Sequence, residues 1–229
     1  MKILAIDSTG LVSAVALVNE TKIIAELSTN FKKTHSETLM PMIESIKAMT
    51  ELDLSEIDFI ACASGPGSFT GLRIGAATVK GLARGLDKKI IPVPTLDALA
   101  YNIFESSKII VPMMDARRNQ VYSCMYKWEG GKLKKLSDYL AEDIAVIIEM
   151  TNQYAEGTIF LGDGVLVHKE YISNHAENAS FVPPHLNTQL ASSVGCLALE
   201  YADTAIDAKD FSPFYLRVSQ AERELREKK

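Results

Sequence analysis

One stretch constrains the fold of this chain more than any other: residues 62–86, CASGPGSFTGLRIGAATVKGLARGL. An apolar strand over residues 57–63 passes through a turn containing Gly65, Pro66 and Gly67 into a helix that opens near Ser68. The helix carries Gly71, Gly75, Gly81 and Gly85, each costing about 0.5–1 kcal/mol relative to alanine. Such a set implies that something comes very close to the helix: a phosphate, a neighbouring strand or a second protein. Gly71, Gly75, Thr78, Leu82 and Gly85 make one smooth face, and Leu72, Ala76, Val79, Ala83 and Leu86 an apolar face beside it. Arg73, Ala77, Lys80 and Arg84 form a third. Either both non-polar faces are buried against a sheet, or one of them serves a partner protein.

With 229 residues, 47% hydrophobic and 23% charged, the chain has the material for one large domain or two small ones. Its net charge of -5 argues against tight independent binding to nucleic acid, which draws on Lys and Arg to neutralise phosphates. Local basic strips remain, at Arg73, Lys80 and Arg84 and at Arg117 and Arg118. Cys62, Cys124 and Cys196 are far apart and never spaced C-x-x-C, so neither a disulfide framework nor a cysteine zinc site is readable. The first eight residues are strand-like, and no apolar run reaches the roughly 18 residues of a membrane span. A soluble cytoplasmic protein is expected.

Residues 3–6, 12–18 and 22–27 read as three strands joined by two hairpins. Leu39, Met42, Ile43, Ile46 and Met49 mark an amphipathic helix over 37–50, in which Pro41 is acceptable only within the first turn. The strand at 57–63, the glycine-bearing helix, a strand at 89–93 and a helix at 96–104 follow. A hairpin sheet extended by right-handed parallel crossovers is the layout of ribonuclease-H-like and actin-like domains. Strands at 108–113, 120–128, 132–136 and 158–162 and helices at 141–150, 165–172 and 190–202 repeat the alternation more loosely. The expected division is 1–105, 106–219 and a charged tail at 220–229.

Asp7, Ser8, Thr9 and Gly10 end the first strand in a turn that either offers N–H groups to a nucleotide phosphate or simply closes a hairpin. Gly65, Pro66, Gly67 and Ser68 have the parts of an anion site but lack the lysine and spacing of G-x-x-x-x-G-K-[ST]. His35 is followed four residues on by Leu39, not by a second histidine, and H-E-x-x-H is absent, so no metal site is read. Asp115 with Arg117 and Arg118 reads as a surface salt-bridge turn or a phosphate or partner contact, and Asp163 between two glycines as a tight turn. No serine or cysteine has an identifiable base, which leaves protease chemistry without support.

Taken together, ILAIDST (3–9), HSETLMP (35–41), GPGSFTGLRIG (65–75), KGLA (80–83), PTLDALA (94–100), DARRNQVY (115–122), GDG (162–164) and PFYLR (213–217) resemble, in order, the bacterial TsaB family, formerly YeaZ. The resemblance implies an α/β fold of two actin-like (ribonuclease-H-like, ASKHA) domains, the second smaller and degenerate. It implies a scaffold with no catalytic residues, no metal and no cofactor, pairing with the catalytic paralogue TsaD and the ATPase TsaE. That complex installs threonylcarbamoyl on the adenosine next to the anticodon of tRNAs reading codons that begin with A. By position, the partner surface is carried by Leu39, Met42, Ile43 and Ile46, and by Phe69, Leu72, Arg73, Gly75, Ala76, Val79, Lys80 and Ala83. The same surface serves a homodimer when the chain is alone, and tRNA is reached only through the complex. Asp7, Ser8, Thr9, Gly65, Gly67 and Ser68 are then remnants of a nucleotide site. The alternative is a sugar-kinase-like phosphotransferase of the same superfold, with Asp7 as base or metal ligand and residues 65–68 as phosphate loop.

Overall fold

The structure, a computed structural model, describes residues 1–31 and 33–217; the charged tail expected at 220–229 lies outside them. β1 (Lys2–Asp7), β2 (Ser13–Asn19) and β3 (Ile23–Thr29) form the antiparallel meander that the two turn signals require. After α1 (His35–Thr50), β4 (Phe59–Gly65) pairs with β1 in parallel. After α2 (Phe69–Leu86), β5 (Lys89–Pro94) pairs with β4 in parallel. The sheet order is β3-β2-β1-β4-β5, the ribonuclease-H-like arrangement that the sequence predicts. A short α3 (Thr95–Ala100) leads to the second half.

The second sheet comprises β6 (Ile109–Asp115), β7 (Gln120–Ser123), β8 (Tyr126–Glu129), β9 (Lys132–Lys135), β10 (Leu140–Asp143), β11 (Thr158–Leu161) and β12 (Ala179–Phe181). Its path is β10-β7-β6-β11-β12, with antiparallel pairs on one side of β6 and parallel pairs on the other. The first sheet's layout is therefore repeated, with the β8–β9 hairpin added through Ile110 and Tyr126. α4 (Ile144–Thr151) and α5 (Asp163–His175) stand where α1 and α2 stand in the first half. α6 (Ala191–Glu200) follows.

Strand periodicity sorts the core. Along β1, Leu4 and Ile6 pack with Leu39, Ile43, Ile46 and Val79 of α1 and α2, whereas Ile3 and Ala5 pack with Val194, Leu197 and Ala198 of α6. The last helix, though it falls within the expected 106–219 span, thus covers the free face of the first sheet. Its approach is close: a Cβ on Gly195 would stand 2.7 Å from Val18.

Five local readings need correction. α1 starts at His35 rather than 37, because the Glu37 carboxylate accepts the Thr34 N–H at 2.9 Å and holds the chain's entry into the helix. Pro41 consequently lies beyond the first turn on the exposed side, and the helix forgoes the bond its nitrogen would have donated. The strand expected at 120–128 breaks at Cys124 and Met125, and the helix expected from 141 starts at Ile144, because residues 140–143 pair with β7 and Asp143 caps the helix through the Ala145 N–H. Asp163 opens α5 instead of forming an isolated turn.

Candidate functional site

The corner where β1 meets α2 answers what the helix glycines are for. Ser8 Oγ donates to the Gly71 carbonyl at 2.9 Å, and the Ser68 N–H donates to the Thr9 carbonyl at 2.7 Å. A Cβ on Gly71 would overlap the Ser8 carbonyl oxygen, and one on Gly75 would stand 2.5 Å from Ser8 Oγ. The close neighbour of these two glycines is thus the end of a strand. Gly81 and Gly85 differ, since a Cβ at either meets nothing.

The six expected nucleotide-site remnants lie around this corner, where contacts with the chain itself hold them. Asp7 is buried, and its carboxylate accepts the Thr9 N–H at 2.8 Å and the Thr9 hydroxyl at 2.7 Å. Burial pushes the Asp7 carboxyl up, while the two Thr9 bonds and the His35 charge pull it back. Gly67 is pressed on the Thr9 carbonyl and Gly65 on the Phe214 carbonyl. Both Thr9 bonds fall on Asp7 Oδ1, so the aspartate closes the turn at the end of β1 on itself.

His35 is equally committed: Nε2 lies 3.0 Å from the Gly10 carbonyl and Nδ1 lies 2.5 Å from Ser13 Oγ. Thr38 donates to Ser13 at 2.8 Å, and Ser13 is buried, so this serine–histidine contact anchors α1 against β2. Among the described residues, no three His, Cys, Asp or Glu side chains are grouped to hold a metal ion.

The residues expected to carry the partner surface mostly face inward. Leu39, Ile43, Ile46, Leu72, Ala76, Val79 and Ala83 belong to the first sheet's core, and Gly75 is turned onto Ser8. Their helical spacing reports burial within the chain, and this corrects their assignment to the outer surface. Arg73 is exposed, Met42 and Phe69 are half-buried, and Lys80 is held by its bond to the Phe211 carbonyl at 2.9 Å. The outer face of α2 is instead made by Arg73, Ala77, Gly81, Arg84 and Gly85, with Met40 and Met49 exposed on α1.

Between the two sheets runs a cleft of about 1080 Å³. Its walls include Leu11, Phe31, Lys33 and His35 on one side, the first turn of α2, and Asp115, Arg117, Asp163 and Arg217 on the other. Arg117, Arg118 and Asn119 have φ of 61°, 55° and 63°, a left-handed run unusual for three side-chain-bearing residues. Asp115 caps it by accepting the Arg117 N–H at 2.8 Å, and neither arginine enters an ion pair among the described residues, so the expected salt-bridge turn does not form. The Asp163 carboxylate accepts the Asp115 N–H at 3.3 Å; burial and then the Asp115 charge push it up to about 6. Arg217 Nη1 donates to the Ala116 carbonyl at 3.0 Å, and Tyr215 stacks on Phe69 with centroids 5.0 Å apart, so the segment after Phe211 straps the two halves together. Leu11, Phe31, Lys33 and Arg217 have no individual signal in the sequence beyond the PFYLR motif, which contains Arg217.

Residues 22–225 match the TsaD family, described as tRNA N6-adenosine threonylcarbamoyltransferase. The chain is 34% identical over 223 residues to the tRNA threonylcarbamoyladenosine biosynthesis protein TsaB of Bacillus subtilis (strain 168), covering 97% of this chain and 96% of that protein. The chain belongs to the TsaB family. The protein of the same name from Haemophilus influenzae is 30% identical, with 95% and 94% covered. A crystal structure of a Pseudomonas aeruginosa protein with similarity to peptidase YEAZ superposes with a TM-score of 0.78 at 23% identity, covering 94% of this chain and 99% of that one. With the repeated sheet order, this makes the fold actin-like in both halves.

Proposed function

We propose that this TsaB-family chain is a non-catalytic subunit in tRNA threonylcarbamoyladenosine synthesis, pairing with a TsaD homologue and, in the larger complex, with the TsaE ATPase. The observation that carries this reading is the self-occupied corner: Asp7 is tied to Thr9, and both nitrogens of His35 are taken by Gly10 and Ser13. Inherited positions that would hold a phosphate or a metal hold the chain itself, in a protein whose relatives are named for this biosynthesis. The chain acts in the cytoplasm, meets tRNA through the complex, and divides near residue 105 into two domains, with α6 returning to the first sheet.

The partner surface is the outer face of α1 and α2, where Ala77, Gly81 and Gly85 leave room for a facing helix. A homodimer uses the same face when the chain is alone. Ala76 lies in the core and a charge there would disturb folding, so Gly81 is the position to alter. Gly81→Arg is expected to lower co-purification with the TsaD homologue at least tenfold with a Tm no lower than that of the wild type. Undiminished pairing sinks the placement, and tRNA modification that survives omission of this chain from the reconstituted system sinks the role itself.

A further inference from the structure

We propose that residues 211–217 form a clasp that fixes the angle between the two halves of the chain, and that Tyr215 and Arg217, acting through it, are positioning residues for tRNA modification. The segment is anchored at each end in a different core. Phe211 is 2% exposed and belongs to the core of Ile43, Val79 and the first sheet, whereas Leu216 packs on the core that Leu96 and Leu99 of α3 share with Ile110 and Tyr126. Between these anchors the segment grips both sides. Lys80 of α2 donates to the Phe211 carbonyl at 2.9 Å, and the Phe214 N–H donates to the Ser64 carbonyl of β4 at 2.7 Å. Tyr215 lies on Phe69 of α2, and Arg217 reaches the Ala116 carbonyl just after β6. The Phe214 ring stands 5.7 Å from that of Tyr139, whose hydroxyl donates to Asp97 of α3 at 2.7 Å. Contacts therefore run unbroken from α2 through the segment and Tyr139 to α3.

The turn into α2 is shaped to receive this segment. Gly65 has φ of 122°, and a Cβ there would also overlap the Phe214 carbonyl oxygen, so the backbone conformation and the passing chain require the same glycine. Two halves joined by a loop move against each other by default. A segment held to both by backbone, guanidinium and ring contacts removes that freedom. Because it grips α2, a helix of the proposed partner surface, the second half keeps one orientation toward whatever pairs there. A displacement of about 1 Å far from the chemistry can slow a reaction about a hundredfold. The positioning role rests on reading the chain as a subunit that pairs with a TsaD homologue; the clasp rests on geometry alone.

The test places spin labels at Lys22→Cys and Glu170→Cys, both exposed and one in each half. The background is Cys196→Ser, since Cys62 and Cys124 are already buried. Double electron-electron resonance on the labelled full chain, diluted with unlabelled protein, is expected to give one narrow distance distribution. Tyr215→Ala and Arg217→Ala should each broaden it, and Tyr215→Phe, which keeps the stack on Phe69, should not. The alanine changes act on different contacts of the segment, so failure of one variant to fold leaves the other as the test. In the reconstituted system both are expected to co-purify with the TsaD homologue as the wild type does, to keep the KM for tRNA and to lower kcat about tenfold. Distributions as narrow as the wild type's overturn the clasp, and a broadened distribution with unchanged kcat overturns the positioning role. A wild-type chain that fails to pair refutes the subunit reading, while the distance measurement still decides the clasp.

Discussion

Asp163 illustrates how much a single side chain's surroundings decide. It sits at the first position of α5, where a helix N-terminus favours negative charge, yet burial beside Asp115 outweighs this and lifts its pKa to about 6 from the ordinary aspartate value of 3.8. The sign follows from proton counting. Between these values the folded chain binds a proton that the unfolded chain has released, so stability falls as pH rises through about 6. Asp163→Asn keeps the acceptor for the Asp115 N–H and removes the penalty, and it should stabilise the protein by up to about 3 kcal/mol at pH 8 and by almost nothing at pH 4. Thermal melts of both proteins across that range check this; an equal gap at both ends refutes the cause. The sequence marked Asp163 only as a residue between glycines, because the neighbour that perturbs it arrives from β6, 48 residues away.

Among the elements, α2 separates two uses of glycine that look identical in the sequence. Gly71 faces the Ser8 carbonyl at a distance no Cβ can share, whereas Gly81 faces open space. Gly71→Ala should therefore destabilise the protein by about 1–3 kcal/mol through a forced backbone shift. Gly81→Ala should stabilise it by about 0.5–1 kcal/mol through helix propensity. Urea unfolding midpoints distinguish them, and two losses of equal size would mean that Gly81 too has a close neighbour within the chain. The helix itself was legible from its spacing and its Ser68 cap, whose hydroxyl accepts the Gly71 N–H at 3.4 Å. Which face turns inward was not, because both non-polar faces satisfied the same periodicity. β10 escaped for a related reason: residues 141–150 carry helical spacing throughout, and only pairing with β7 draws the first three into a strand.

At the level of the whole molecule, the two sheets are joined around Asp97 of α3. Its Oδ1 accepts the hydroxyls of Tyr126 at 2.6 Å and Tyr139 at 2.7 Å, both from the second half of the chain. Tyr201, just after α6, approaches Oδ2 at 3.5 Å. Asp97→Ala would strand the buried Tyr126 hydroxyl and loosen the joint, an expected loss of about 2–4 kcal/mol in chemical denaturation. A change below about 0.5 kcal/mol would show that the sheets hold together by apolar packing alone.

The sequence by itself determined the strand–helix alternation, the first sheet's topology, the tight turn into α2 and the family, because these rest on local periodicity, turn chemistry and short contiguous motifs. The tertiary structure alone decided that the glycine turn is filled by the chain's own backbone, that α6 returns to cover the first sheet, and that Phe31, Lys33, Arg117 and Arg217 share one cleft. Each of these joins residues far apart in the chain. Their proximity follows from how the layers pack, and no local pattern encodes it.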